Sequence, residues 1–355
     1  MNKRAIELQF HWIFILIAGA VILAFFFSVV QKQRALSEEK LSITLSTQMD
    51  AIFAGAIESK GTTQSLATPQ PGIAFACSDV CECNYYIGDK ATEFRDKILF
   101  APALIADEDA IAWAHEWAFP FRVTNFLMLT SPAIKYYLVY EDSDPQSTKT
   151  YARISKALPK EINRQTYTDP SAVYHVSPQG YAHTRFVFLG TKDKPNLRDL
   201  PLEYAEESVS AVWIDPDFRT AVFSEKSDDD ELDFNERPTS LAGDASAYAA
   251  VFAADRVLYD CMMRRAFDKL GIIADVHARR ATRLRDTLEN LVPPRLECGL
   301  YQDLIPELAT VAQKATLLGA TFPEPEDALR LIASSQGVLQ TNNNNLLLQS
   351  CPELY

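Results

Sequence analysis

The sequence predicts an N-terminal transmembrane helix, then an α/β domain with a mixed sheet, then an all-α C-terminal module. Three observations predict it. The run "WIFILIAGAVILAFFFSVV", Trp12 to Val30, has Ser28 as its only clearly polar side chain. Between residues 73 and 226, short apolar runs separated by polar stretches have the length and spacing of strands. From Ala245 onward, apolar residues recur at steps of three and four, the period of a helix. A composition of 48% hydrophobic and 23% charged residues excludes both a disordered chain and a channel of many spans. The formal charge of -13 repels nucleic acid, so the expected partners are proteins, small molecules or a second copy of the chain.

Residues 1–11 form a short basic tail and residues 12–30 the transmembrane helix, through which the lipid bilayer is the first expected partner. As a helix the run nearly matches a hydrocarbon core about 30 Å thick. A cleaved signal peptide has a shorter apolar core and a small-residue cleavage site, whereas this run exits into "QKQRALSEEK". An uncleaved single-pass signal-anchor is therefore expected. Lys3 and Arg4 favour a cytoplasmic tail, while Lys32 and Arg34 pull the other way. A short basic tail translocates poorly, so the large domain is expected outside the cell membrane.

Residues 31–60 read as a juxtamembrane stalk, with Leu41, Leu45, Met49, Ile52 and Ala56 at helical spacing and a break near Gly61. The Ser/Thr-rich "LSITLSTQ" within it also suits a strand. "TPQPG", Thr68 to Gly72, carries two prolines and marks a linker before the α/β domain at 73–226. Strands are expected at "GIAFAC", "KILFAP", "TNFLML", "IKYYLVY", "AVYHV", "TRFVFLG", "VSAVWI" and "TAVFS", and helices at Asp107 to Trp117 and Gln146 to Leu158. Turns at Ser177 to Gly180 and at Asp215 to Phe218, each with proline in second place, predict two antiparallel hairpins. Residues 227–244 form an acidic linker, of which Asp228 to Glu236 is expected to be exposed because its six acids in nine residues repel one another. Residues 245–355 form the helical module, with later helices around Leu300 to Leu318 and Pro325 to Leu339 and a short piece near Leu346.

Three of the six cysteines lie in "CSDVCEC", Cys77, Cys81 and Cys83, and three near the C-terminus, Cys261, Cys298 and Cys351. Outside a reducing cytosol an even count predicts disulfides. Cys77 with Cys81 or Cys83 is the natural local pair, and three plus three requires a long bridge or two unpaired thiols. A structural zinc site wants two separated ligand pairs, and this cluster shows no second pair or close histidine. No metal or other cofactor is expected.

Candidate catalytic motifs fail on geometry. "HEWAF" at His115 opens like a zinc-protease motif, but Phe119 stands where the second histidine is needed. His175 and His183 flank the expected Ser177–Gly180 hairpin on opposite sheet faces, too far apart to share a metal. The acidic run at Asp228 lacks the glycine and the glutamate of a calcium loop. Nucleotide-loop and nucleophile-elbow glycine patterns are absent, in a chain with only 12 glycines. One charge asymmetry marks a candidate docking face: Arg264, Arg265, Lys269, Arg279, Arg280, Arg283 and Arg285, against Asp268 and Asp275 alone.

"QFHWIFILIAGAVIL", "PFRVTNFLMLTSP", "LYDCMMRRAF" and "SCPELY" resemble a group of single-pass membrane proteins of small-genome archaea, which implies the same architecture and no activity. "KRAIEL" before the apolar helix is also similar to archaeal type IV pilins, although cleavage after Ala5 would leave Glu7 in second place. The expectation is a membrane-tethered binding or assembly protein without catalysis. The alternatives are a membrane-anchored enzyme with an active site assembled from distant positions, and a pilin-like surface subunit.

Overall fold

The computed structural model describes the backbone of residues 3–59, 61–69, 72–106, 109–192, 208–225, 237–291 and 298–355, and within them the side chains of 16–33 and from 43 onward. The acidic run from Asp228 to Glu236 lies outside the described residues.

One helix, α1 (Lys3–Glu58), joins the expected span and stalk without a break, so "LSITLSTQ" is helical. Its stretch Leu16–Gln33 is long and apolar enough to cross a membrane, and none of it is buried. Further along, Met49, Phe53 and Ala56 are buried at helical spacing. Phe53 meets the Tyr85 ring edge-on at 5.6 Å. The Tyr85 hydroxyl donates to Ser46 O, and the Lys97 ammonium pairs with Asp50 at 2.8 Å. The last turns of α1 are therefore part of the globular core.

Three sheets follow. The first joins β1 (Thr63–Ala67), β5 (Leu99–Phe100), β7 (Asp109–Ala118) and β8 (Arg122–Thr130) in the order β1-β7-β8-β5. The second is small, β4-β3-β2-β6, from β2 (Ile73–Cys77), β3 (Cys83–Ile87), β4 (Lys90–Glu93) and β6 (Leu104–Ile105). The third is mixed. In it β9 (Ile134–Val139), β10 (Arg164–Tyr167), β11 (His183–Leu189) and β12 (Val209–Ile214) run parallel, and β13 (Thr220–Glu225) and β14 (Thr239–Ser240) add on antiparallel.

Every residue of β9 and β12 is buried, as expected of parallel strands covered on both faces. One face carries Tyr136, Leu138, Val187, Val212 and Phe223 into the main core. The other packs Tyr137, Phe186, Phe188 and Trp213 against Val173 and Val176. Helix α2 (Pro145–Ala157) starts where Asp144 accepts from Gln146 N, with proline at its first turn. Its Ser147 hydroxyl donates to Leu189 O at the end of β11. Gly190, at φ +66, lets the chain pass that helix, since a Cβ there would lie 3.0 Å from Ser147 Cα.

Several local expectations are corrected. Asp107 to Trp117 was expected to be helical, but from Asp109 it is strand β7, paired with β1 on one side and β8 on the other. Pairing on both edges overrides the helix preference of its alanines. "AVYHV" is no strand: Asp169 accepts from Ser171 N and starts a 3-10 helix, Pro170–His175. No hairpin forms at Ser177–Gly180, because β11 lies between β9 and β12, parallel to both. The Asp215–Phe218 turn does join an antiparallel pair, with Asp215 accepting from Arg219 N.

The C-terminal part is helical. It comprises α3 (Asp244–Phe252), α4 (Arg256–Glu289), α5 (Tyr301–Thr321) and α6 (Glu326–Leu348), and α6 takes in the piece expected separately near Leu346. Asp255 caps α4 by accepting from Leu258 N. Helices α4 and α5 approach closely at Gly319, where a Cβ would collide with the Asp268 side chain. Leu258, Met262, Ala266 and Phe267 of α4 share one buried cluster with Phe100, Trp117 and Phe126 of the first sheet. The Trp117 ring meets Phe267 edge-on at 5.5 Å.

Candidate functional site

All six cysteines are paired. Cys77 and Cys83, opposite each other on β2 and β3, close the hairpin. Between them the turn is set by Cys81 N donating to Ser78 O at 2.8 Å, with Cys81 at φ 63. That conformation aims Cys81 at α4, where it bonds Cys261 across 180 residues. Cys298 bonds Cys351 and ties the start of α5 to the C-terminal tail. The local pair is thus Cys77–Cys83, and Cys81 takes the long bridge. The Sγ atoms of Cys77, Cys83 and Cys261 lie within 4.8 Å of one another.

The expected docking face divides. Arg264 Nε donates to Phe322 O, Arg265 to Arg95 O, and Lys269 is half-buried, with its ammonium pushed down by that burial. All three are partly buried. Arg280 donates to Leu354 O, Arg279 pairs with Asp275 at 2.8 Å, and Arg285 pairs with Asp286. Arg279, Arg280 and Arg283 remain exposed along a shallow groove with Val276 and Leu284.

Among the described residues the histidines do not converge. His115 lies in β7 against the rings of Trp113 and Tyr248, not at a helix end. His175 ends the 3-10 helix and His183 opens β11, so the expected hairpin relation between them does not exist. His277 packs on Phe121 and Tyr355, and burial lowers its proton affinity.

A cavity of about 450 Å³ was missed by sequence reasoning. It lies where β9, β11 and β12 begin, against the end of α3, rather than at the carboxyl ends where open parallel sheets usually hold ligands. Leu104, Ile134 and Phe252 give it apolar walls, and Ser131, His183 and Ser210 supply polar groups. Arg185, 3% exposed, also lines it and donates to the carbonyls of Ala250, Ala253 and Ala254, satisfying the last turn of α3. Its guanidinium lies 5.5 Å from the Phe223 ring centre. His183 Nε2 is 2.7 Å from Ser210 Oγ.

A histidine beside a serine is a base beside a nucleophile, but chemistry also needs an orienting acid and donors for an oxyanion. No Asp or Glu lines the cavity among the described residues, and Ser210 sits within a paired strand. The arrangement suits holding a small molecule, apolar on most sides with a few directing polar groups. The one signal in the sequence was a histidine and an arginine inside the apolar run "HTRFVFLG". No family model, curated protein or solved structure matches this chain.

Proposed function

We propose that the chain is a membrane-tethered binding or assembly protein, with its globular part on the extracytoplasmic side. The observation that carries this reading is α1. Its Leu16–Gln33 stretch is apolar and unburied, while Met49, Phe53 and Ala56 of the same helix are in the core. A soluble protein has no reason to present the run Leu16–Phe27, without a polar side chain, to water. Three disulfides support the extracytoplasmic side, since such bonds persist where thiols are not kept reduced. The cavity supports binding of a small ligand, and the resemblance to archaeal single-pass proteins supports the same layout.

Protease added to intact cells tests the topology. We expect the domain to be digested and the span to remain with the membrane. A domain digested only after lysis would overturn the extracytoplasmic reading. The unbroken α1 also favours a second reading, a pilin-like subunit whose apolar half packs against copies of itself. Mass determination of the mature chain separates the two: loss of residues 1–5 would favour the pilin.

A further inference from the structure

The cluster "CSDVCEC" is also arranged for a second occupant, which can be tested without knowing which side of the membrane the domain occupies. The cluster fell short of a metal site in sequence because it showed only one group of ligands. Folding supplies the missing ligand from α4, where Cys261 stands against the β2–β3 hairpin. We propose that Cys77, Cys81, Cys83 and Cys261, once reduced, form a tetrathiolate site for zinc or a similarly thiophilic divalent ion.

The geometry is close to what such an ion needs. With Zn–S near 2.3 Å, tetrahedral sulfurs stand about 3.8 Å apart. Cys77, Cys83 and Cys261 already hold their Sγ atoms within 4.8 Å of one another, and Cys81 is bonded to Cys261. Opening both bonds and drawing four sulfurs onto one ion therefore takes side-chain adjustments on the order of 1–2 Å. The scaffold limits larger movement. Cys77 and Cys83 are held opposite each other by strand register, and Cys81 by the turn at Ser78. Cys83 and Cys261 are buried, which keeps water from competing for the ion.

Charge is also provided for. Four thiolates on a divalent ion leave two negative charges, and Arg264 Nη1 lies 3.5 Å from Cys81 Sγ. No acidic side chain belongs to the sulfur group, so the site suits a soft ion rather than calcium or magnesium. The chemistry balances with a phosphine or dithiol as reductant. Two disulfides take up four electrons and four protons to give four thiols, and the bound ion displaces those protons as the sulfurs become thiolates. Disulfides and metal are then alternative occupants of one junction, selected by the surrounding redox potential.

The test uses the full chain in detergent, reduced with a phosphine and titrated with Co²⁺. We expect one Co²⁺ per chain, with the visible bands of a tetrahedral thiolate site. The bands should disappear in Cys261→Ser and in Cys83→Ser, and persist when Cys298 and Cys351 are both changed to Ser. If reduction unfolds the chain, Zn²⁺ should restore its circular dichroism, because metal binding then drives folding. A reduced chain that binds no Co²⁺, that stays unfolded with Zn²⁺, or that keeps the bands in Cys261→Ser overturns the proposal. None of these outcomes depends on protease accessibility, so the topology can fail while this site stands.

Discussion

Asp260 is 8% exposed in the first turns of α4, where it accepts from the Thr239 hydroxyl and from Arg256 Nε. Burial raises its carboxyl from 3.8 to about 6, against the opposing pull of Thr239 and Arg256. Between these values the folded chain holds a proton that the unfolded chain has released. The stabilisation is fully present below 3.8 and is lost as pH rises through about 6, at a cost of about 3 kcal/mol. We expect urea midpoints to fall between pH 4 and 6 through this group, and Asp260→Asn to remove that part of the slope. An unchanged slope in the variant would show that other groups carry it. At this scale sequence reasoning saw least. Asp260 lies within "LYDCMMRRAF", and nothing around it there reveals that β14 covers it. His183, Arg185 and Ser210 likewise meet only because β11 and β12 are neighbours.

Elements were more legible, for reasons that differ among them. The largely apolar runs of β9, β11 and β12 and the helical stretch from Gln146 are local signals, and each forms as read, α2 starting one residue earlier at Pro145 behind its Asp144 cap. Strand β7 was misread because its alanines favour helix in isolation, and two partner strands decide otherwise. The cysteine spacing showed a local pair but not the route from Cys81 to Cys261, a contact made by tertiary packing alone. The three bridges close loops of very different length, with separations of 6, 53 and 180 residues. Restriction of the unfolded chain predicts losses of about 2, 4 and 5 kcal/mol when Cys77–Cys83, Cys298–Cys351 and Cys81–Cys261 are removed by paired Cys→Ala changes. Denaturant midpoints should follow that order. A hairpin bridge costing as much as the long one would mean that β2–β3 packing, and not chain restriction, sets its value.

Across the whole molecule, the layout of apolar helix, sheets and helices was readable from periodicity because each part keeps one period over a long stretch. Packing was not readable: the buried cluster runs from α1 through the sheets into α4 and α5. Retention of the span belongs to this scale. N-terminal sequencing of membrane-extracted protein should begin before residue 12, and a chain starting after residue 25 would show that the apolar helix is removed. In α1, one helix from Lys3 to Glu58, the first buried residue after Gln33 among the described side chains is Ser46, about 20 Å of helix further on. With Leu16–Gln33 in a bilayer, as proposed, the globular part would be carried like the head of a mast, with no break in the helix at deck level. Glu58 lies about 38 Å along the axis from Gln33, so a change of about 10° in the tilt of the span swings that point sideways by about 7 Å. On the proposed anchoring, thickness or tension in the bilayer would become leverage on the globular part.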